Sequence, residues 1–412
     1  MEAGIQVLPI FDCATLTDIA DRFGTPVYFT DFSLIQEKFQ QVDSAFSRLK
    51  NAGKRVKIFY SIKANSNPFI MRYLLSLGAG LDILSEGELA LSLRSKASPS
   101  DLMISGTMLA EELLRQASRL KIKINLDSLE SIQRGARAGL KRAGIRLNPL
   151  IEAGHHEKVR TATSASKFGI ALEEYAIAKK EFRKRGLSLD GIHYHIGSGI
   201  ETCAPFVRAL SQICRTVDNL SKLKYLDIGG GYASSKGGKP FDFTNLVNSL
   251  IENSDLLPSE IYIEAGRYLV ANSTVLLSRV TEVKSTSRRT FVGIDAGFND
   301  MMRTVLYGAE HPFFTCGCAG KKFRADLVGP ICESGDVFRT DVSLSAKEGS
   351  LVVFHDVGAY GYSLSSNYLT RPRPAEVASY KSRIFLMRKR QTAAELFSDV
   401  SWKSFSSFLK QA

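Results

Sequence analysis

Eight short apolar runs, separated by amphipathic stretches, recur along the middle of this 412-residue chain. They are VKIFYSI (56–62), LDIL (81–84), LMIS (102–105), KINL (123–126), GIRLN (144–148), GIHYHI (191–196), KYLDI (224–228) and IYIE (261–264). Such runs read as strands buried on both faces, the pattern of a parallel sheet covered by helices. Between most of them lie segments such as EGELALSLRSK and FVRALSQICRTVDNLSK, whose apolar residues recur at helical spacing. Strand and helix alternating eight times over this length predict an α/β fold, a (β/α)8 TIM barrel. A hydrophobic content of 44% is enough to bury so large a core.

Outside that alternation the texture changes. After about residue 270 strands follow one another without long helices: TVLLSRVTEVKS, RTFVGIDAG, DVFRTDV, SLVVFHDVG and, near the end, SRIFLMRKR before a mixed amphipathic helix containing Trp402. These predict a C-terminal β domain. The isolated strand TPVYFTD near the N-terminus needs a sheet to join, and that domain is the expected one. The expected division is an N-terminal segment over 1–30 that joins the β domain, a cofactor-binding barrel over 31–270, and the β domain over 271–412 with a substrate loop and dimer contacts.

The net charge of +12 is spread in short basic clusters between acidic residues, with no basic helix or aromatic-interleaved patch. This argues against nucleic-acid binding and for attraction of small anions. Six cysteines are too few for a disulfide scaffold, and Cys316-Gly-Cys318 lacks a second ligand pair for zinc. Reduced thiols, no metal and a cytoplasmic protein are expected. Neither a signal-like N-terminus nor an apolar stretch of spanning length is present in the sequence, so no membrane association is expected.

In such a barrel the chemistry belongs at the C-terminal strand ends. There the sequence places Lys63 as the last residue of the first strand, Asp82 in the second, Arg146 in the fifth and His195 at the end of the sixth, followed by Ser198. Gly229, Gly230 and Gly231 follow the seventh strand, and Glu264, Gly266 and Arg267 the eighth. Glycines after strand seven and an arginine after strand eight suit a phosphate. An amine whose pKa is lowered by apolar surroundings suits a Schiff-base nucleophile. Together these groups predict pyridoxal 5'-phosphate: Lys63 for its aldehyde, His195 stacked on its ring, Glu264 on its pyridine nitrogen.

The motifs YSIKAN, HIGSGI, LDIGGGY and EAGR make the chain resemble the fold-type III pyridoxal-phosphate-dependent decarboxylases, which share the alanine racemase barrel, and within them most closely the diaminopimelate decarboxylases. The resemblance runs from TPVYFTD to RPRPAEV. It implies Lys63 as the Schiff-base lysine, His195 as the stacking ring, Ser198 and the three glycines for phosphate, and Glu264 with Gly266 and Arg267 at the ring and substrate. By the same resemblance, DAGFNDMMRTVLYGAEH supplies Arg303 and Tyr307 for a distal carboxylate, with help from Arg267. GPICESGD supplies Cys332 beside the reacting centre and Glu333 for a distal ammonium, across a homodimer interface. VGAYGYSLSSNY places Tyr360 at cofactor and substrate. Two departures stand out: EAGR replaces the commoner EPGR, and the CGCAGKK segment between Tyr307 and Cys332 does not match the family.

The function so implied is decarboxylation of meso-2,6-diaminopimelate to L-lysine and carbon dioxide in lysine biosynthesis. A planar bidentate cation and an acid, Arg303 and Glu333, suit a substrate with a second amino-acid head. The alternatives are the same chemistry on ornithine, lysine or a pathway-specific or carrier-bound amino acid, and a non-catalytic regulatory homologue.

Overall fold

Strands are numbered along the chain, starting from β1 (Val27–Asp31). Next come β2 (Arg55–Ser61), β3 (Gly80–Ile83), β4 (Leu102–Ile104), β5 (Lys123–Leu126), β6 (Arg142–Asn148), the two-residue β7 (Ile170–Ala171), β8 (Ser188–His193), β9 (Tyr225–Asp227) and β10 (Glu260–Ala265). In the sheet β5-β4-β3-β2-β10-β9-β8-β6 every neighbour is parallel, and β6 pairs back with β5, so eight strands close a barrel while β7 hangs beside β6. The structure, a computed structural model, describes residues 11–151, 153, 166–234, 241–318 and 320–402. Among the described residues, the barrel unit takes those of Phe32–Ser273 together with Gly358–Ser363, and the second unit takes 11–31, Thr274–Val357 and 364–402.

Aromatic side chains fill the barrel beneath its C-terminal mouth. Phe59, Met103, Tyr225 and Tyr262 form a buried cluster, in which the Tyr225 and Tyr262 rings stack with centroids 4.9 Å apart. The Tyr225 ring has room only because two neighbours are glycine: a Cβ on Gly144 would sit 2.3 Å from its hydroxyl and one on Gly191 2.5 Å from its ring. Its hydroxyl donates to Asn125 Oδ1 at 2.6 Å, satisfying a polar atom where water cannot reach. The expectation that Lys63 is a strand's last residue is corrected. β2 ends at Ser61, and Lys63 lies in a single 3₁₀ turn, Ile62–Ala64. The ladder ends because β2 finds its last partners at Tyr60 (with Ala265) and Ser61 (with Asp82).

The second unit is a nine-stranded mixed sheet. To β1 it adds β11 (Thr274–Ser285), β12 (Thr290–Ile294), β13 (Phe313–Cys316), β14 (Phe323–Val328), β15 (Val337–Leu344), β16 (Leu351–Phe354), β17 (Ala375–Tyr380) and β18 (Arg383–Arg388). Its main order is β15-β14-β12-β11-β1-β17-β18, with β16 joining β11 and β13. The N-terminal strand does join this sheet: β1 is antiparallel to β11 and parallel to β17, and all five of its residues are buried. The expectation of six reduced thiols is corrected for two of them. Cys13 and Cys316 form a disulfide across a sequence separation of 303, and no spacing rule can anticipate a pair brought together by the return of the N-terminus to the sheet. Only the start of the expected C-terminal helix, at Trp402, falls within the described residues, and none of their helices is long and apolar enough to cross a membrane.

Candidate active site

Around the C-terminal strand ends the barrel gathers charged groups that would not stay buried singly. Asp82, Arg146 and Glu264 are each less than a tenth exposed. Lys63 is accessible to solvent, yet Asp82, Tyr360, Glu264 and Arg146 all act on its charge. Ser61 Oγ donates to Asp82 Oδ2 at 2.9 Å. Burial and the neighbouring Glu264 charge push Asp82 up to about 8. Burial alone would lower the Lys63 amine, but Asp82, Tyr360 and Glu264 outweigh it and the net shift is upward. That corrects the expectation of a lysine made nucleophilic by desolvation. The two shifts make rival claims on one proton, and the rise at Asp82 is the firmer because burial and Glu264 act in the same sense there.

Glu264 is buried, with Oε2 3.4 Å from His193 Nε2 and 3.6 Å from His195 Nδ1, while Oε1 has no protein partner among the described residues. Burial would raise this carboxyl, but the neighbouring imidazoles, His193 foremost, reverse the sign and hold it well below the ordinary range. Burial in turn lowers His195 to about 4, so its ring is neutral near pH 7. A neutral ring brings no charge to the carboxylate, and its Nδ1 is an acceptor for the Gly230 N–H. Arg146 donates from Nη1 to Ser105 O at 3.3 Å and lies 4.8 Å from the centroid of Phe168, its charge answering Glu264, Asp127 and Asp82.

The three glycines divide the work. Gly229 has φ +65° and donates its N–H to Asp227 Oδ1 at 2.9 Å. The Gly230 N–H is given to His195 Nδ1 at 3.1 Å, and a Cβ there would sit 1.7 Å from the Glu264 carbonyl oxygen. A Cβ on Gly231 (φ +102°) would strike Gly197 O at 2.0 Å. The first two N–H groups are thus committed to the protein. Arg267 Nη2 lies 3.3 Å from Ser198 Oγ, and its guanidinium is 4.9 Å from the Tyr360 ring centroid. Tyr360, at φ +60°, is fixed by its N–H, which donates to Ala64 O at 2.7 Å next to Lys63. Gly266 keeps that approach close, since a Cβ would meet Ser61 and Ala64 at 3.2 and 3.3 Å.

Four of the sequence-selected residues lie in the β unit. Arg303 opens the short helix Arg303–Tyr307, is buried, and has Nη1 3.1 Å from His311 Nε2. Tyr307 ends that helix half-buried. Cys332 and Glu333 are exposed on a loop organised by Asp336, whose two oxygens accept from the Phe298 and Ile331 N–H groups at 2.7 and 2.8 Å. Tyr368 donates its hydroxyl to Glu333 Oε1 at 2.5 Å.

A set of buried donors with an unpartnered carboxylate oxygen, a lysine and a glycine cradle fits pyridoxal phosphate. The family described as pyridoxal-dependent decarboxylase, pyridoxal binding domain, matches residues 33–271. Diaminopimelate decarboxylase from Methanothermobacter thermautotrophicus is 33% identical over 403 residues, covering 93% of each chain. The chain belongs to this family. Its member from Neisseria meningitidis serogroup A is 35% identical over 393 residues, 91% of this chain and 94% of that one. The crystal structure of the Helicobacter pylori family member complexed with L-lysine superposes with a TM-score of 0.87 at 30% identity, covering 93% of this chain and 98% of that one. The barrel and mixed-sheet architecture expected of the family is the one observed. Sequence reasoning passed over His193 and Asp227, and the expectation that His195 ends its strand is corrected: β8 stops at His193, and His195, like Lys63, lies just beyond the strand.

Proposed function

We infer that this chain decarboxylates meso-2,6-diaminopimelate to L-lysine, and the observation that carries the reading is the buried Glu264 carboxylate with Oε1 unpartnered, beside Lys63, His195 and the Gly229–Gly231 turn. Pyridoxal phosphate, when bound, supplies the electron sink that accepts the pair left on the α-carbon as carbon dioxide departs. Lys63 provides the amine for its aldehyde, and Asp82 exchanges the proton that this amine must shed. Glu264 keeps a proton on the ring nitrogen. His195, neutral, would lie against the cofactor's ring. Gly231, Ser198 and Arg267 take the phosphate, with Gly229, Gly230 and Gly266 holding the turns, while Arg146 balances the buried carboxylates and Tyr360 orients Arg267. Arg303, Tyr307 and Arg267 bind the distal carboxylate, Glu333 the distal ammonium, and the Cys332 thiol returns a proton to the α-carbon.

The exposure of Cys332 and Glu333 supports a homodimer in which this loop completes the partner's site. A biosynthetic role supports a cytoplasmic location, where the Cys13–Cys316 pair would meet reducing thiols. Incubating the holoenzyme with diaminopimelate, ornithine, lysine and arginine, and scoring carbon dioxide, tests the reading. Release from diaminopimelate alone is expected. Release mainly from ornithine or lysine would move the substrate assignment, and none from any would favour a regulatory homologue.

A further inference from the structure

At the C-terminal ends of β8, β9 and β10, three side chains that the reading above leaves idle or half-used come together. A ring nitrogen of His193 and one carboxylate oxygen each from Asp227 and Glu264 all lie within 4.8 Å of one another, and all three side chains are buried. The strands dictate this: His193 and Asp227 are register partners on β8 and β9, and Asp227 pairs with Tyr262 on β10, two residues before Glu264 and therefore on the same face.

Hydrogen-bond bookkeeping decides which ring serves Glu264. His195 Nδ1 accepts the Gly230 N–H at 3.1 Å, so it presents a lone pair, and its 3.6 Å approach to Glu264 Oε2 sets acceptor against acceptor. His193 is different. It is fully buried, neither ring nitrogen has a conventional hydrogen bond to a described residue, and the nearest group to Nε2 is Glu264 Oε2 at 3.4 Å. A buried neutral imidazole carries one proton, and the carboxylate draws it to Nε2. Asp227 does not compete for it. One of its oxygens is taken by the Gly229 N–H, the other is unpartnered, and burial with the Glu264 charge pushes its carboxyl well upward, which disfavours the anion that would attract the proton.

We propose that His193 is a positioning residue for this reaction: its Nε2–H holds Oε2 of Glu264, so that Oε1 alone is presented to the ring nitrogen of the cofactor. Because the donor is neutral, Glu264 keeps its full negative charge and remains able to hold a protonated ring. The inference rests on the assignment of Glu264 to that nitrogen.

Three holoenzyme variants test it: His193→Leu, which removes the donor; His193→Gln, whose side-chain amide reaches the Nε2 position; and Glu264→Gln. The readouts are the absorption spectrum of bound pyridoxal phosphate, its affinity for the apo-protein, and kcat and KM separately. Loss of an orienting partner typically costs on the order of 10- to 100-fold. His193→Leu should lose that much in kcat and in cofactor affinity, with a spectrum shifted as in Glu264→Gln and KM little changed. His193→Gln should recover most of the loss, and His193→Leu combined with Glu264→Gln should be no worse than Glu264→Gln alone. A wild-type spectrum and kcat in His193→Leu, beside a damaged Glu264→Gln, overturns the inference and leaves the Glu264 assignment standing. An undamaged Glu264→Gln overturns that assignment instead. Should His193→Leu not fold, ¹⁵N shifts of the wild-type holoenzyme decide: His193 protonated at Nε2 supports the proposal, and protonation at Nδ1 refutes it.

Discussion

Gly230→Ala puts the smallest possible side chain where the site has least room. Its Cβ would lie 1.7 Å from the Glu264 carbonyl oxygen, against about 3.4 Å for ordinary contact, so the Gly230 turn and β10 must part by about 3.4 − 1.7 = 1.7 Å. The obstacle is backbone and cannot rotate away. Overpacking of this kind costs about 1 to 3 kcal/mol. The displaced elements also carry the Gly230 N–H that orients His195 and the carboxylate of Glu264, and a 1 Å misplacement alone can cost on the order of 100-fold in rate. The expected result is a lower melting temperature together with a kcat down by about 100-fold and weaker pyridoxal phosphate binding. Gly87→Ala is the control, since it lies in the helix Glu86–Arg94 and its Cβ would meet only Ser85 Oγ at 3.8 Å. There the helix preference of alanine should stabilise by up to about 1 kcal/mol with turnover unchanged. Wild-type melting and turnover in Gly230→Ala would refute the account of the glycine turn as the element that sets the distance between His195 and Glu264.

Borohydride reduction of the holoenzyme followed by peptide mapping should place the cofactor on Lys63, and a label on any other lysine would break the assignment of the nucleophile. Lys63→Ala and Glu333→Ala homodimers should each be nearly inactive, but refolding an equal mixture makes about half the dimers mixed, each with one intact site, so roughly a quarter of wild-type activity should return. No recovery after mass spectrometry confirms exchange would place the whole site in one chain. With its ring lowered to about 4 by burial, His195 should stay neutral as pH falls from 7 to 5.5, so its NMR shifts should not move over that range; titration near 6.5 would contradict the geometry. Cys13→Ser opens a link across 303 positions and should lower the stability of the oxidised protein by about 2 to 5 kcal/mol, read as a drop in denaturation midpoint that dithiothreitol reproduces in the wild type.

Much of the barrel was legible because burial on both faces writes continuous apolar runs, as in IYIE and LDIL, and each was found as a strand. The β domain was less so. β13, β14 and β17 carry Thr315, Arg324 and Glu376 within them, and their amphipathic, short or charged runs give no clean alternation. Lys63 was placed correctly at the mouth but one turn early, because no local signal in YSIKAN says where β2 loses its partners. Its pKa direction was misjudged for a related reason: desolvation can be read from the neighbouring apolar residues, whereas Asp82 and Glu264 reach Lys63 only through the closed barrel. The same holds for His193, whose significance lies in a 3.4 Å approach to a residue 71 positions later in the chain (264 − 193 = 71).

The position of β1 in the middle of its sheet imposes an order on how the protein is made. Val27 takes one partner at Leu277 and the other at Ala375, so the first lies 250 residues downstream (277 − 27 = 250) and the second 348 (375 − 27 = 348). At about 5 to 20 residues per second, roughly 12 to 50 seconds pass between the synthesis of β1 and that of its first neighbour. Strands β2 to β10 are completed inside that interval, so the barrel can close on the ribosome while VYFTD still has both edges bare. Cys13 waits longer still, for Cys316. A nascent chain of this protein therefore carries an unpaired apolar strand and an unpartnered thiol for most of its synthesis, and anything that slows translation through the barrel lengthens their exposure to other chains.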